Sequence, residues 1–264
     1  LLGLVGSEMC IRDRSNTSTI PLSILTQEMS DSMKADFCIT HFFNPVRFMR
    51  LLEIVETPTM NKDKISSLRN FCQNELGKGI VNCNDTPGFI GNRIGVYAMQ
   101  VAMYEALERG LPVEIADALF GRPLGIPKTG VFGLYDLIGI DLMKDVLASF
   151  KKELQENDPF MDVVKPHPLV EKLLEKGFNG NKGPGGFYQT IIVEGDDHVK
   201  AMNTADMSYY DFDKVDLEIA RRVEKEGIKA LLDDDSDYGR YAFAVLAKII
   251  NYGAFCIPEV SSKV

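Results

Sequence analysis

His41 opens the run His41-Phe42-Phe43-Asn44-Pro45, and twelve residues later Glu53 sits inside Leu51-Leu52-Glu53-Ile54-Val55. A carboxylate flanked on both sides by aliphatic residues is costly to bury without a partner, and an imidazole presented beside a turn supplies one. The two residues form a candidate acid/base dyad. An imidazole, with an unperturbed pKa of about 6.5, accepts a proton near neutral pH, and a neighbouring carboxylate stabilises the charged ring that results. Each residue also has a plainer reading, His41 as a satisfied structural histidine and Glu53 as an outward-facing residue on an edge strand. The adjoining Asn44-Pro45 turn and the pairing itself favour chemistry.

The elements that must position this pair alternate strand and helix. Residues 37–43 read as a buried strand stopped by Asn44-Pro45, residues 49–55 as a second strand, and residues 62–76 as a helix opened by Pro58 and Asn61 and closed by Gly77 and Gly79. Residues 80–83 are a short strand ended by the turn Asp85-Thr86-Pro87-Gly88. After that the pattern is helical. Residues 88–109 repeat apolar positions at three and four, residues 113–120 form a short helix, residues 121–133 a Gly/Pro-rich connection, and residues 134–154 one long helix. Residues 157–167 read as a loop and 168–176 as a helix, followed by Gly-rich residues 177–188, too flexible for regular structure unless something holds them. Residues 190–211 read as a polar linker with a short strand, 212–232 as an amphipathic stretch, 233–235 as a charged break, and 238–255 as a final apolar helix.

Composition narrows the function classes. A chain of 264 residues with 45% hydrophobic content has enough side chains for a real core. Its formal charge of -9 and the absence of a clustered Lys/Arg footprint argue against a nucleic-acid partner. The five cysteines are scattered without Cys-x-x-Cys spacing, which signals neither a disulfide framework nor a metal site and fits a reducing, cytoplasmic compartment. No apolar run approaches the roughly 20 residues of a membrane helix, so no membrane partner is expected. His167 and His198 read as surface residues in polar loops, with no metal-ligand spacing around them.

Four motifs in order and spacing carry a resemblance: Ser15-Asn16-Thr17-Ser18, His41-Phe42-Phe43-Asn44-Pro45 followed by Glu53, Asp85-Thr86-Pro87-Gly88-Phe89-Ile90-Gly91-Asn92-Arg93, and Lys182-Gly183-Pro184-Gly185-Gly186-Phe187-Tyr188. On these residues the chain resembles the L-3-hydroxyacyl-CoA dehydrogenases. The stretches Phe48-Met49-Arg50-Leu51-Leu52-Glu53 and 121–129 look most similar to bacterial members that form part of a longer multifunctional β-oxidation protein. The resemblance implies an α/β plus all-α fold, the C-terminal part of a Rossmann-type NAD-binding domain followed by a helical C-terminal domain. It also implies NAD-linked oxidation of an L-3-hydroxyacyl-CoA to a 3-ketoacyl-CoA in fatty-acid β-oxidation. His41 would be the base and Glu53 its orienter, Ser18 and Asn92 would bind substrate, and Asn44 and Lys182 would contact the cofactor. The expected partners are an acyl-CoA and either a second copy in a homodimer or the rest of a multifunctional protein.

The expected domains are residues 15–86 for the partial NAD-binding domain, 87–190 for the helical substrate and dimerisation domain, 191–211 for a linker, and 212–264 for a partial second helical domain. Residues 1–14 resemble a translated sequencing adapter and are set aside as non-native; the chain is expected to be incomplete at both ends. The family's strand, Gly-x-Gly-x-x-Gly turn and helix that receive the pyrophosphate are not in this sequence. Weak NAD binding and open sheet edges are expected of the chain in consequence. Two other readings stand beside the main one: a related dehydrogenase acting on a hydroxyacid without CoA, and a catalytically silent helical oligomerisation module.

Overall fold

The structure, a computed structural model, describes residues 14–261 apart from Thr19, Gly125, Pro127, Lys214 and Pro258. The adapter-like reading of residues 1–14 therefore lies outside the described residues except at Arg14, which forms part of a strand. The described residues form two compact units, one of residues 14–94 with 254–261 and one of residues 95–253.

The first unit is built on a four-stranded sheet. Strand β1 (Arg14–Ser15) is followed by two single-turn helices, α1 (Leu22–Leu25) and α2 (Asp31–Lys34), which the hydrophobic spacing does not announce. The Asp85 carboxylate accepts the Leu22 and Ser23 amides at the start of α1, and Ser30 accepts the Met33 amide at α2, so both helices are held by side-chain acceptors at their N-termini. Strands β2 (Cys38–Phe42) and β3 (Leu51–Glu56) form an antiparallel hairpin, and helix α3 (Lys62–Asn74) leads to β4 (Gly79–Cys83). Asn61 caps α3, its side-chain oxygen accepting the Asp63 and Lys64 amides at 3.0 and 3.2 Å. Sheet order is β1-β2-β3-β4, parallel at both outer pairings and antiparallel in the middle.

Alternation along the hairpin sorts its side chains between two cores. Cys38, Leu52 and Ile54 pack with Met60 and with Ile65, Leu68 and Cys72 of α3. Ile39 and Val55, on the other face, join Leu22, Phe37, Cys83 and Phe89. His41 and Glu53 share the second face, because side chains two residues apart on a strand point the same way.

The second unit holds most of α4 (Gly91–Glu108), then α5 (Val113–Leu119), a 3-10 turn at Arg122–Leu124, α6 (Phe132–Ile138) and α7 (Ile140–Glu153). The single helix expected over residues 134–154 is two. Gly139 stands between them at φ 106°, a conformation that side-chain-bearing residues rarely adopt, and it breaks the hydrogen-bond ladder there. After α8 (Pro168–Glu175) come β5 (Tyr188–Val193), β6 (Asp196–Met202) and β7 (Tyr209–Asp211), an antiparallel sheet where a polar linker with one short strand was expected. Its strands are largely solvent-facing, so they lack the apolar alternation that marks a strand in sequence. His198 accordingly lies on a strand, though exposed, and His167 is half-buried as the N-cap of α8, its Nδ1 accepting the Leu169 amide at 3.1 Å. Burial lowers the His167 pKa. Helices α9 (Glu218–Glu226), α10 (Lys229–Leu232) and α11 (Asp237–Cys256) complete the chain's regular structure. Tyr252 of α11 stacks on Tyr97 of α4 with ring centroids 3.9 Å apart.

The Gly-rich segment is held by carboxylates. Asp136 accepts the Phe187 and Tyr188 amides at 3.0 and 2.7 Å, and its own carbonyl accepts the Asn181 amide. Asp117 accepts the Phe132 and Gly133 amides and the Tyr188 hydroxyl. Among the described residues no helix is long and apolar enough to cross a membrane, and no group of acidic, His and Cys side chains is placed to hold a metal.

Burial pushes the Asp117 carboxyl up to about 7 and the Asp136 carboxyl up to about 6, against the pull of the amides they accept. Both folded values stand above the ordinary 3.8, so the unfolded chain releases these protons first. Their contribution to stability is complete below about pH 4 and is lost as pH rises through about 6 and then 7. Urea midpoints measured from pH 4 to 8 are expected to fall across that window and level above it; a flat or rising profile contradicts this role for the two carboxyls.

Candidate active site

The antiparallel register sets His41 directly opposite Glu53, and β4 runs along the other side of Glu53 with Val81 at the same level. Both side chains are buried, His41 at 5% exposure and Glu53 at none. The His41 Nδ1 lies 2.7 Å from Glu53 Oε2. A carboxylate only accepts, so Nδ1 carries the hydrogen and donates it, which leaves Nε2 with its lone pair as the basic atom.

The second carboxylate oxygen is engaged as fully as the first. Glu53 Oε1 accepts the Ile90 amide at 3.0 Å, the Gly91 amide at 2.6 Å and the Cys83 thiol at 3.6 Å. These amides open helix α4, where unpaired donors and the helix dipole both favour a negative group. Gly88 and Phe89, immediately before them, adopt left-handed backbone at φ 71° and 50°. For a bulky residue such as Phe89 that conformation costs about 1–3 kcal/mol and persists because its surroundings impose it. Burial and the Glu53 charge together push the Cys83 thiol far above its ordinary range, keeping it a neutral donor.

The aromatic neighbours enclose the imidazole. Phe43 stands with its ring centroid 4.5 Å from that of His41, and Phe89 at 5.9 Å. Gly91 accommodates this packing. A Cβ there would fall 2.3 Å from Phe43 Cζ and 3.3 Å from Glu53 Oε1.

Two further residues of the expected site come together next to this clasp. Asn92 follows Gly91 on α4, and its side-chain amide donates to the Ser18 carbonyl at 3.3 Å. Asn16, in the loop after β1, accepts the Phe42 amide at 3.0 Å and ties that loop to β2. Asn44 is exposed at the turn that ends β2. Lys182 is exposed in the helical unit, its Nζ close to the backbone of Gly139, and so belongs to a different unit from the other five predicted residues.

Comparisons with known proteins give the family to which this chain is related. Residues 11–86 match the model of the 3-hydroxyacyl-CoA dehydrogenase NAD binding domain, and residues 88–190 match that of the 3-hydroxyacyl-CoA dehydrogenase C-terminal domain. The chain belongs to the 3-hydroxyacyl-CoA dehydrogenase family. It is 38% identical over 250 residues to the "Putative fatty acid oxidation complex trifunctional enzyme" of Rickettsia felis, covering 95% of this chain and 34% of that protein. It is 34% identical over 177 residues to the mitochondrial hydroxyacyl-coenzyme A dehydrogenase of Rattus norvegicus, covering 66% of this chain and 53% of that one. Among solved structures, the 3-hydroxybutyryl-CoA dehydrogenase of Escherichia coli aligns with a TM-score of 0.56 at 29% identity, over 67% of this chain and 36% of the other. The chain spans about a third of the length of the bacterial relatives that it matches over 95% of its own residues.

In this member of the 3-hydroxyacyl-CoA dehydrogenase family, the groups around Glu53 that the sequence alone does not announce are the Ile90 and Gly91 amides and the Cys83 thiol. Backbone donors have no letter of their own. The signal for them was the turn Pro87-Gly88 ahead of an apolar helical run, a helix opening that seeks an anion. Replacing Gly91 by Ala is expected to force Phe43 and Glu53 apart and to destabilise the first unit by about 1–3 kcal/mol. Urea unfolding of the variant checks this, and a change within about 0.5 kcal/mol would show that the clasp is not tight.

Proposed function

We propose that the chain carries the proton-handling site of an NAD-linked oxidation of L-3-hydroxyacyl-CoA to 3-ketoacyl-CoA, within a bacterial multifunctional β-oxidation protein of the cytoplasm. The observation that carries this reading is the 2.7 Å contact between His41 Nδ1 and Glu53 Oε2, with the other oxygen of Glu53 already held by two amides. In that arrangement Nε2 of His41 takes the proton of the substrate 3-hydroxyl as the C3 hydrogen departs with its electron pair and the C–O bond becomes a ketone. Glu53 fixes the ring orientation and stabilises the imidazolium that forms. Asn92 and Ser18 position the substrate about the reacting carbon.

When bound, NAD supplies the acceptor for that hydride. The residues present fit one end of the cofactor only. Asn44, exposed where β2 ends, is available to the nicotinamide side. Residues 14–94 contain no strand, Gly-x-Gly-x-x-Gly turn and helix to receive a pyrophosphate, and Lys182 lies in the other unit. No step is assigned to those two contacts. Homodimers, or contacts with the other parts of a multifunctional protein, fit the same reading through the similarity to the Rickettsia felis trifunctional enzyme.

Turnover of an L-3-hydroxyacyl-CoA with NAD, followed by reduced-nucleotide formation, tests the assignment. His41→Gln is expected to lower kcat by about 10²–10⁴-fold with the fold intact by circular dichroism, and Glu53→Gln to lower it as well. Wild-type turnover in His41→Gln would reject His41 as the base. Equal activity on a free 3-hydroxyacid would reject the CoA thioester as the substrate class.

A further inference from the structure

Residues Glu259–Ser261, which follow α11, dock on the carrier elements of the dyad. The Asn84 amide donates to the Val260 carbonyl at 2.9 Å, the Asn84 side chain to the Glu259 carbonyl at 2.8 Å, and the Ser261 hydroxyl to the Asn82 carbonyl at 3.4 Å. Val260 and Ser261 are buried in the process. They lie along the C-terminal end of β4. At the same place Glu259 pairs with Arg93 at 3.2 Å, although the two lie 166 residues apart in sequence. Arg93 is 1% exposed, in the first turn of α4, one residue after Asn92 and two after Gly91.

A buried guanidinium is costly unless its charge is matched, and removing one partner of such a pair leaves the other uncompensated. Arg93 sits in the turn whose amides hold Glu53, so whatever fixes Arg93 also fixes those donors. We infer that Arg93 and Glu259 are positioning residues for the dyad: the strap at 259–261 locks the first turn of α4 and the end of β4, and through them the orientation of Glu53 and His41. This deepens the proposed function, since it assigns to the same site an anchor from a distant segment. Nothing in the pairing requires substrate or cofactor, so the effect exists in the chain alone.

The test is hydrogen exchange at Ile90 and Gly91, with the ring nitrogens of labelled His41 followed by NMR and assigned with His41→Gln to report the Nδ1–H hydrogen bond. These readouts do not depend on turnover and so stand whether or not the dehydrogenase reading does. Glu259→Gln keeps the shape of the contact with Arg93 and removes its negative charge. Its expected effects are exchange at Gly91 faster by about tenfold and a changed Nδ1 signal of His41. Glu259→Asp is expected to recover most of both. A Gly91 exchange rate and a His41 Nδ1 signal unchanged in Glu259→Gln would overturn the inference. Loss of fold without recovery in Glu259→Asp would reduce the pair to general stability and overturn it equally.

Discussion

The Glu53 carboxylate is the constraint on which the sheet unit depends. A fully buried carboxylate costs several kcal/mol unless its lone pairs are used, and here one oxygen serves His41 while the other serves the first amides of α4 and a thiol of β4. Three elements therefore meet on one side chain. The antiparallel register between β2 and β3 is as tightly specified as the His41–Glu53 hydrogen bond, because a slip of one residue would turn Glu53 to the face that packs against α3 and leave both the imidazole and the helix opening without a partner. Chemistry and topology are enforced by the same contact.

The helical unit uses the same device for another purpose. Asp136 and Asp117 accept backbone amides from segments that have little regular structure of their own, and in doing so turn a glycine-rich stretch into a defined shape. Asp85 does the same for α1. Glycine-rich backbone offers many donors and few side chains to pack, so a buried acidic acceptor is an efficient bracket for it. Several of the acidic residues behind the chain's charge of -9 are thus internal acceptors, and the overall acidity says correspondingly little about external partners.

Legibility from sequence follows the source of each feature. The strands around His41 and Glu53 and the helix after Asn61 were readable within a residue or two, since apolar runs and a capping side chain mark them directly. The β5–β7 sheet was not, because its exposed strands are polar, nor were α1 and α2, a single turn each. The division at Gly139 was missed for a different reason: the apolar spacing continues across it, and only the backbone angle reveals the break. The pairing of His41 with Glu53 could be named from residue types and spacing, whereas the two amides that make burial of Glu53 tolerable, and the Arg93–Glu259 pair across 166 residues, exist only in the fold.

The distribution of these groups separates two tasks that a dehydrogenase must combine. Everything that sets the tautomer and orientation of His41 belongs to one compact unit, from the β2–β3 hairpin to the first turn of α4 and the strap at 259–261. The His41 ring is therefore oriented before any ligand arrives, so in the proposed reaction no reorientation is charged to proton transfer. Recognition of the dinucleotide's phosphates draws on a glycine-rich amide cradle, a different physical device located elsewhere in such folds. Because a hydrogen-bonded imidazole is set by contacts of a few ångströms, its orientation is complete within this unit.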